Sequence, residues 1–377
     1  MSRLRILLIT ILSIGSLFLG YRHGLLPYTG NIYAKESKAS ELILTRIKDS
    51  PSENEERIVY LKEARKIENG FSAADGDYFE NITSICLDGN DDLYIADSGA
   101  HKIFKFNACG KYLFSFGKMG QDTAEFLGTL RISIGNDAMV YITDDENWRL
   151  YVYDKGGHFI RQFPIYKYIY DTALVNSHGD IYFLSPSGTS LVDYYDNKMN
   201  LKGSLVEYSL HLDFPYRIPS ARLLKAMSRP SIIDLKKLMT KEDELILISN
   251  NSLCVYILDN NNKIENNFRI THRRLIENYK KRLAGLQQEG AWLQCFGSAF
   301  LDNKESICLC YCNTDIKQPE IYRYNKKGIL LDVLRIILAG ENPSLSNRAI
   351  DACDSKGNMY AIESTLQKII IYGEKGE

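Results

Sequence analysis

From residue 57 onward the chain runs in short apolar stretches, broken every few positions by Gly, Asn and Asp. Stretches of about five residues, rich in β-branched and aromatic side chains and bounded by turn formers, predict strands. Two stretches align without a gap. The first carries Tyr94-Ile-Ala-Asp97, Lys102-Ile-Phe-Lys-Phe106 and Tyr112-Leu-Phe-Ser-Phe116. The second carries Tyr141-Ile-Thr-Asp144, Arg149-Leu-Tyr-Val-Tyr153 and Phe159-Ile-Arg-Gln-Phe163, each 47 residues later. A period of about 40–50 residues with four strand patterns predicts the blades of a β-propeller.

Fainter copies follow at 180–196, 244–257, 306–331 and 354–372, and the sixth stops after its third strand pattern. An orphan strand pattern, residues 58–67, precedes the first full copy, and Phe79 leads Phe126 by the same 47 residues. Residues 58–67 are therefore expected beside 368–372, completing the last unit and removing open sheet edges. The expected fold is all-β: a six-bladed β-propeller of four-stranded blades over 57–377. An N-terminal outer strand closes it, and a short helical insertion lies between blades four and five.

These residues resemble the NHL repeat. The match lies in the lead-in 117–126, the turn Asp354-Ser-Lys-Gly357, the strands 94–97 and 141–144, and Arg149-Leu-Tyr-Val-Tyr153. The resemblance covers about 57–377, good in the first two units and faint in the third to fifth. Glu80 and Leu127 stand where the repeat usually has proline. The chain is also similar to exported six-bladed propellers of Bacteroides-type bacteria. Gluconolactonase-like metal hydrolases and amidating lyases share this fold, but fold alone licenses no activity.

Composition adds placement and exclusions. The 25 Tyr and 15 Phe against nine Pro suit a strand-rich chain, and a net charge of −1 leaves no footprint for nucleic acid. Arg3 and Arg5 precede an uncharged run at 6–20, the pattern of an export signal, short for a membrane span. Residues 1–34 are read as signal peptide or signal anchor and 35–56 as linker. The protein is expected outside the cytoplasm, either membrane-anchored through 6–20 or secreted or periplasmic. Most of the eight cysteines fall in apolar strand patterns, as core residues do; a disulfide stays open.

Antiparallel order places the second-to-third-strand turns and the blade-to-blade connections at one end, including two long connections, 206–243 and 268–296. They carry a charge of +5 over 206–243 and 271–289, against −6 elsewhere. Leu275, Ile276, Tyr279, Leu283 and Leu286 form a helical stripe flanked by Arg273, Arg274, Lys280 and Lys281. The plain reading is a capping helix with solvated charges. The sharper one is a mouth for an anionic protein, peptide or glycan. Trp148 and Arg149 belong to the same end and could stack on or clamp a ligand, although Arg149 also fills a routine repeat position. Asp97, Asp144 and Glu363 end equivalent strands, a pattern of shared turn bonds more than of a cation ring. Neither a catalytic motif nor a metal or cofactor site is recognisable. The expected activity is non-catalytic binding, with a metal-dependent hydrolase or lyase as the alternative.

Overall fold

The computed structural model describes residues 48–49, 57–69, 77–165, 171–185, 190–207, 235–249, 253–277, 296–312, 319–337, 350–363 and 367–374. Strands dominate. β1 (Lys48–Asp49) and β2 (Ile58–Ile67) come first. Next are β3 (Ile82–Leu87), β4 (Leu93–Asp97), β5 (Lys102–Phe106), β6 (Tyr112–Phe116), β7 (Leu130–Ile134), β8 (Val140–Asp144), β9 (Arg149–Tyr153) and β10 (Phe159–Pro164). Then come β11 (Leu174–Val175), β12 (Ile181–Leu184), β13 (Ser190–Tyr195), β14 (Leu201–Glu207), β15 (Leu235–Met239), β16 (Leu245–Ser249), β17 (Cys254–Leu258) and β18 (Ile264–Arg269). The last are β19 (Ser298–Leu301), β20 (Ile307–Cys312), β21 (Pro319–Tyr324), β22 (Leu330–Ile337), β23 (Ile350–Cys353), β24 (Met359–Glu363) and β25 (Lys368–Glu374).

The architecture is all-β and propeller-like. Antiparallel meanders β3–β6, β7–β10 and β11–β14 each form a four-stranded sheet, and β15–β18 form a fourth that β1 extends. The remaining strands form one eight-stranded sheet, ordered β19-β20-β21-β22-β2-β25-β24-β23. The first strands β3, β7, β11, β15, β19 and β23 each pack against the next, and β23 returns to β3. Apolar side chains fill the gaps between sheets. Tyr94 and Ile103 meet Ile132 and Ile142 across one gap; Tyr360 and Ile371 meet Ile85 and Phe104 across the closing one. Because both faces of each sheet are covered, β4, β8, β16 and β17 are buried along their whole length, which is why they read as continuous apolar runs.

The first two sheets repeat side chain by side chain. Phe79 meets Phe104 edge-on at 5.2 Å, and Phe126 meets Tyr151 edge-on at 5.1 Å. The approach is tight: a Cβ on Gly117, which has φ +96°, would sit 2.4 Å from the Phe126 ring.

β2 pairs antiparallel with β25 from Leu61↔Glu374 to Ile67↔Ile369, the expected closing contact. Its first half also pairs parallel with β22, from Ile58↔Val333 to Lys62↔Ile337, which the sequence did not suggest. The ten-residue β2 lies between the two strands, with β22 and β25 on opposite edges and both pairing at Leu61 and Lys62. A bulge ties β2 to the other outer strands. Leu113 in β6, Ile160 in β10 and Leu331 in β22 are extra residues in their ladders, and Ala64 is extra in β2 at the matching register. Such bulges blunt exposed sheet edges.

Residues 206–243 are not one connection, since β15 lies within them; Lys236 and Lys237 hid its strand pattern. Of the expected helix, 273–277 is helical, and Leu275 and Ile276 pack into the core beside Phe296. Residues 278–295, with Tyr279, Lys280, Lys281, Leu283 and Leu286, lie outside the described residues, as do 1–47 and 50–56. Among the described residues no helix is long and apolar enough to cross a membrane. Cys254, Cys308 and Cys310 are buried, whereas Cys109 sits exposed in a turn.

Candidate functional site

The turn between the second and third strands and the sheet-to-sheet connections share one end of the molecule. Asp97 and Asp144 organise it. Asp97 accepts the backbone N–H groups of Glu80, Asn81, Gly99 and Ala100 at 2.8–3.0 Å. Asp144 accepts those of Leu127, Gly128, Glu146 and Asn147 at 2.8–3.1 Å. Each carboxylate therefore pins the chain entering its sheet to the turn leaving it, as expected of a repeated acid. Glu363 is buried at the corresponding strand end.

Trp148 occupies the last position of that turn with φ +48° and is 40% exposed. His101, Leu253 and Gln367 take the same left-handed conformation in other sheets, so the backbone is a shared turn and the exposed indole is the local departure. Leu253, by contrast, is fully buried. Next to Trp148, the Arg149 Nη1 donates to the carbonyls of Gln121 (2.6 Å) and Asp122 (3.1 Å). Arg149 thus braces the lead-in loop, and Trp148 rides on a turn held from both sides.

Arg273 and Arg274 belong to the connection between β18 and β19. Arg273 is exposed and bonds Glu277 one helical turn on, at 3.0 Å. Arg274 reaches Glu320 at 3.0 Å, and Arg335 meets the same Oε1 at 2.9 Å, while the Tyr322 hydroxyl donates to Oε2 at 2.8 Å. The Glu320 carboxylate is buried and fully engaged, a placement that requires such partners. It anchors the start of the helical segment. No contact among the described residues joins Arg273 or Arg274 to Trp148, because the sheet β11–β14 and its successor lie between.

Nearer the axis, the sequence reading missed a set of charges on the first strands. Lys237 is buried against Asp171 at 2.8 Å and also donates to the Thr172 carbonyl. Burial pulls its ammonium down from the usual lysine range, against Asp171, which favours the charge. Arg131 lies 3.6 Å from Asp145. Asp351 is half-buried at a bulge between Ile350 and Ala352. Burial pushes its carboxyl up to about 7, opposed by a bond from the Ile362 N–H and by the charge of Lys236. A polar residue within an inner-strand apolar pattern, as in Ile350-Asp-Ala-Cys353, was the available signal.

Among the described residues, Glu242, Glu244 and Glu305 group closely enough to hold a cation. They lie at the opposite end, and Lys326 already engages Glu244 and, at 3.2 Å, Glu305.

No family model and no curated protein sequence matches the chain. Solved structures do. A Bacteroides fragilis protein whose name places it in the exported class aligns with a TM-score of 0.51 and 11% identity, over 85% of this chain and 100% of the other. A member of the DUF4221 family from Bacteroides vulgatus gives the same score and identity, over 85% and 99%. Virginiamycin B lyase from Staphylococcus aureus gives 0.46 and 11%, over 78% and 83%. At these identities the likeness concerns the fold alone.

Proposed function

We propose that the chain is an exported six-bladed propeller of NHL-like repeats, a non-catalytic binding module that takes its ligand at the connection end. The blade count follows if the eight-stranded sheet is two blades zipped together by β2 and β22. The cycle of six first strands and the matching bulge in β2 support that division. Export rests on Arg3 and Arg5 before the apolar run 6–20, and on the name of the Bacteroides fragilis protein with a similar fold.

The observation that carries the binding reading is Trp148. A large aromatic side chain, 40% exposed, sits on a turn immobilised by Asp144 and Arg149. Exposed aromatic anchors on rigid supports lose little entropy on binding and recur at recognition hot spots. With Arg273 and the positive connection sequences, an anionic protein, peptide or glycan is the expected partner. Lys280 and Lys281 would add to the same charge.

An array of acidic and neutral glycans and peptides, probed with wild type and with Trp148→Ala and Arg273→Ala, tests this. Acidic probes should be retained by the wild type and lost by about tenfold in Trp148→Ala. Equal retention by all three proteins would remove this end from the binding reading. A stoichiometric divalent metal in the purified protein would instead favour a hydrolase or lyase.

A further inference from the structure

At the opposite end, an open cleft of about 290 Å³ lies where β2 and β25 meet the first sheet. Its apolar walls are Ala64, Ala108 and Ile371, and its polar lining includes Arg65, Lys356 and Asp91. The cause of the opening is visible one seam further on. There Lys105 spans the gap, bonding the Lys155 carbonyl at 3.2 Å and lying over the rings of Tyr94 (4.7 Å) and Phe114 (5.8 Å). The ladders put Ile371 opposite Arg65 just as they put Lys105 opposite Phe114. A short aliphatic thus replaces the spanning lysine, and Arg65 takes over its bond across the seam, donating to the Ala108 carbonyl at 3.1 Å.

The two acids at the cleft already have partners on both oxygens. Asp91 accepts the Ser355 N–H at 2.9 Å and its hydroxyl at 2.5 Å. Asp354 accepts the N–H groups of Lys356 and Asn358, the Asn358 amide and the Tyr360 hydroxyl. The cations are less committed. Of its five N–H donors Arg65 commits some to the Ala108 carbonyl and the Tyr360 hydroxyl and keeps others, and the Lys356 ammonium makes no hydrogen bond or ion pair among the described residues. Donors without matching acceptors, above an apolar floor, suit a compact anion with an apolar body.

We propose that this cleft binds a small organic carboxylate, held by Arg65 and Lys356 over Ala64, Ala108 and Ile371. The site lies at the other end from the one proposed above, so each can fail alone.

Cys109, exposed at the rim, serves as the reporter. The full chain is alkylated with neutral iodoacetamide, and modification of Cys109 is followed by peptide mass spectrometry with benzoate or benzamide present. Benzoate should slow the reaction saturably, by roughly threefold or more at millimolar concentration, and benzamide should not. Iodoacetate should gain on iodoacetamide at Cys109 relative to a small neutral thiol, and Lys356→Met should remove both effects while leaving thermal unfolding unchanged. Arg65→Met should remove them too, with some loss of stability from the Ala108 bond. Equal protection by benzoate and benzamide, no protection by either, or a Lys356→Met protein indistinguishable from wild type would overturn the proposal.

Discussion

The two ends of the sheets solve the same problem, turning a strand back on itself, in opposite ways. At the tight-turn end one five-residue solution recurs eleven times among the described residues, led by Asp88, Asn107, Gly135, Asp154, Asn176, Asp196, Thr240, Asp259, Asp302, Asn325 and Asp354. In each, the leading N–H bonds the carbonyl four residues on, and the fourth residue adopts positive φ. Where Asp or Asn leads, its side chain takes up two more N–H groups, as Asp154 does for Gly156 and His158. At the connection end, strand ends are joined by segments as unlike in length as 145–148 and 208–234; what repeats there is the short turn closed by His101, Trp148, Leu253 and Gln367, and a carboxylate before it in three of those four sheets. A repeated local solution fixes the ring and leaves little to vary. The irregular end is where new side chains can be carried without disturbing it.

The largest effect is expected from breaking the closure on which both ends depend. Removal of residues 1–67 strips β2 from β22 and β25 and exposes the edges of both, together with the core around Leu61 and Ile67. Calorimetry of that truncation should show no cooperative transition. A melting temperature within a few degrees of wild type would mean that the ring closes without β2.

Next in size is a matched pair of substitutions, one at each end. Asp144→Ala leaves four backbone N–H groups without their acceptor at a fully buried position. Buried orphan donors cost about 1–3 kcal/mol each, so a loss of roughly 3 kcal/mol or more in urea unfolding is expected. Asp154→Ala removes the same kind of bond from an exposed turn, where water replaces the carboxylate, and should cost about 1 kcal/mol. Equal losses would show that the carboxylate at the connection end is no more structural than any turn residue.

These contrasts also explain what could be read in the sequence. The 47-residue spacing exposed the first two sheets because Phe79 and Phe126, and Asp97 and Asp144, perform identical tasks. The closing strand was legible because the sixth copy lacked a strand and 58–67 supplied one. The pairing of β2 with β22 was hidden: it is a contact between backbones, and no side-chain pattern records it. At the candidate site, Arg149 and Arg274 looked available in sequence, but each is committed to packing through partners far along the chain, the carbonyls at 121–122 and Glu320. Glu320 itself was invisible as a site, being one acid within a strand pattern, and only the register that sets it opposite Arg335 reveals its role.

A third test uses pH to separate the axis from the surface. The folded-state carboxyl of Asp351 titrates near 7, above the ordinary aspartate value of about 3.9, because burial disfavours its charge. Between those values the folded state holds a proton that the unfolded chain releases, so this residue makes stability fall as pH rises through that window. Asp351→Asn should flatten stability between about pH 4 and pH 7, and make little difference below pH 4. An unchanged pH profile would place the Asp351 carboxyl in open water.

The smallest effect concerns the staples between neighbouring turns, and there direction matters more than size. Asp91 holds Ser355 and Asp243 holds Ser177 by the same two bonds, and both acids have positive φ, +62° and +65°. Glycine at either position loses the staple but relieves the left-handed backbone, an offset of about 1 kcal/mol. For Asp91→Gly the two effects should nearly cancel, since solvent can satisfy Ser355, which is exposed. Asp243 is more buried, and it also receives the Asn136 amide at 2.7 Å. Asp243→Gly should therefore cost about 1–2 kcal/mol more than Asp91→Gly near neutral pH. The difference should shrink on acidification. Burial alone would raise the Asp243 carboxyl, but the bonds from Ser177 and Asn136 outweigh it and hold the group below the usual aspartate range. A depressed folded-state value contributes stability above the unfolded value of about 3.9 and loses it as pH falls through the folded one. Parallel denaturation series at pH 7 and pH 3 read the gap directly. A gap that is absent at pH 7, or that widens at pH 3, would show that the staple at Asp243 is an exposed turn bond like the one at Asp91.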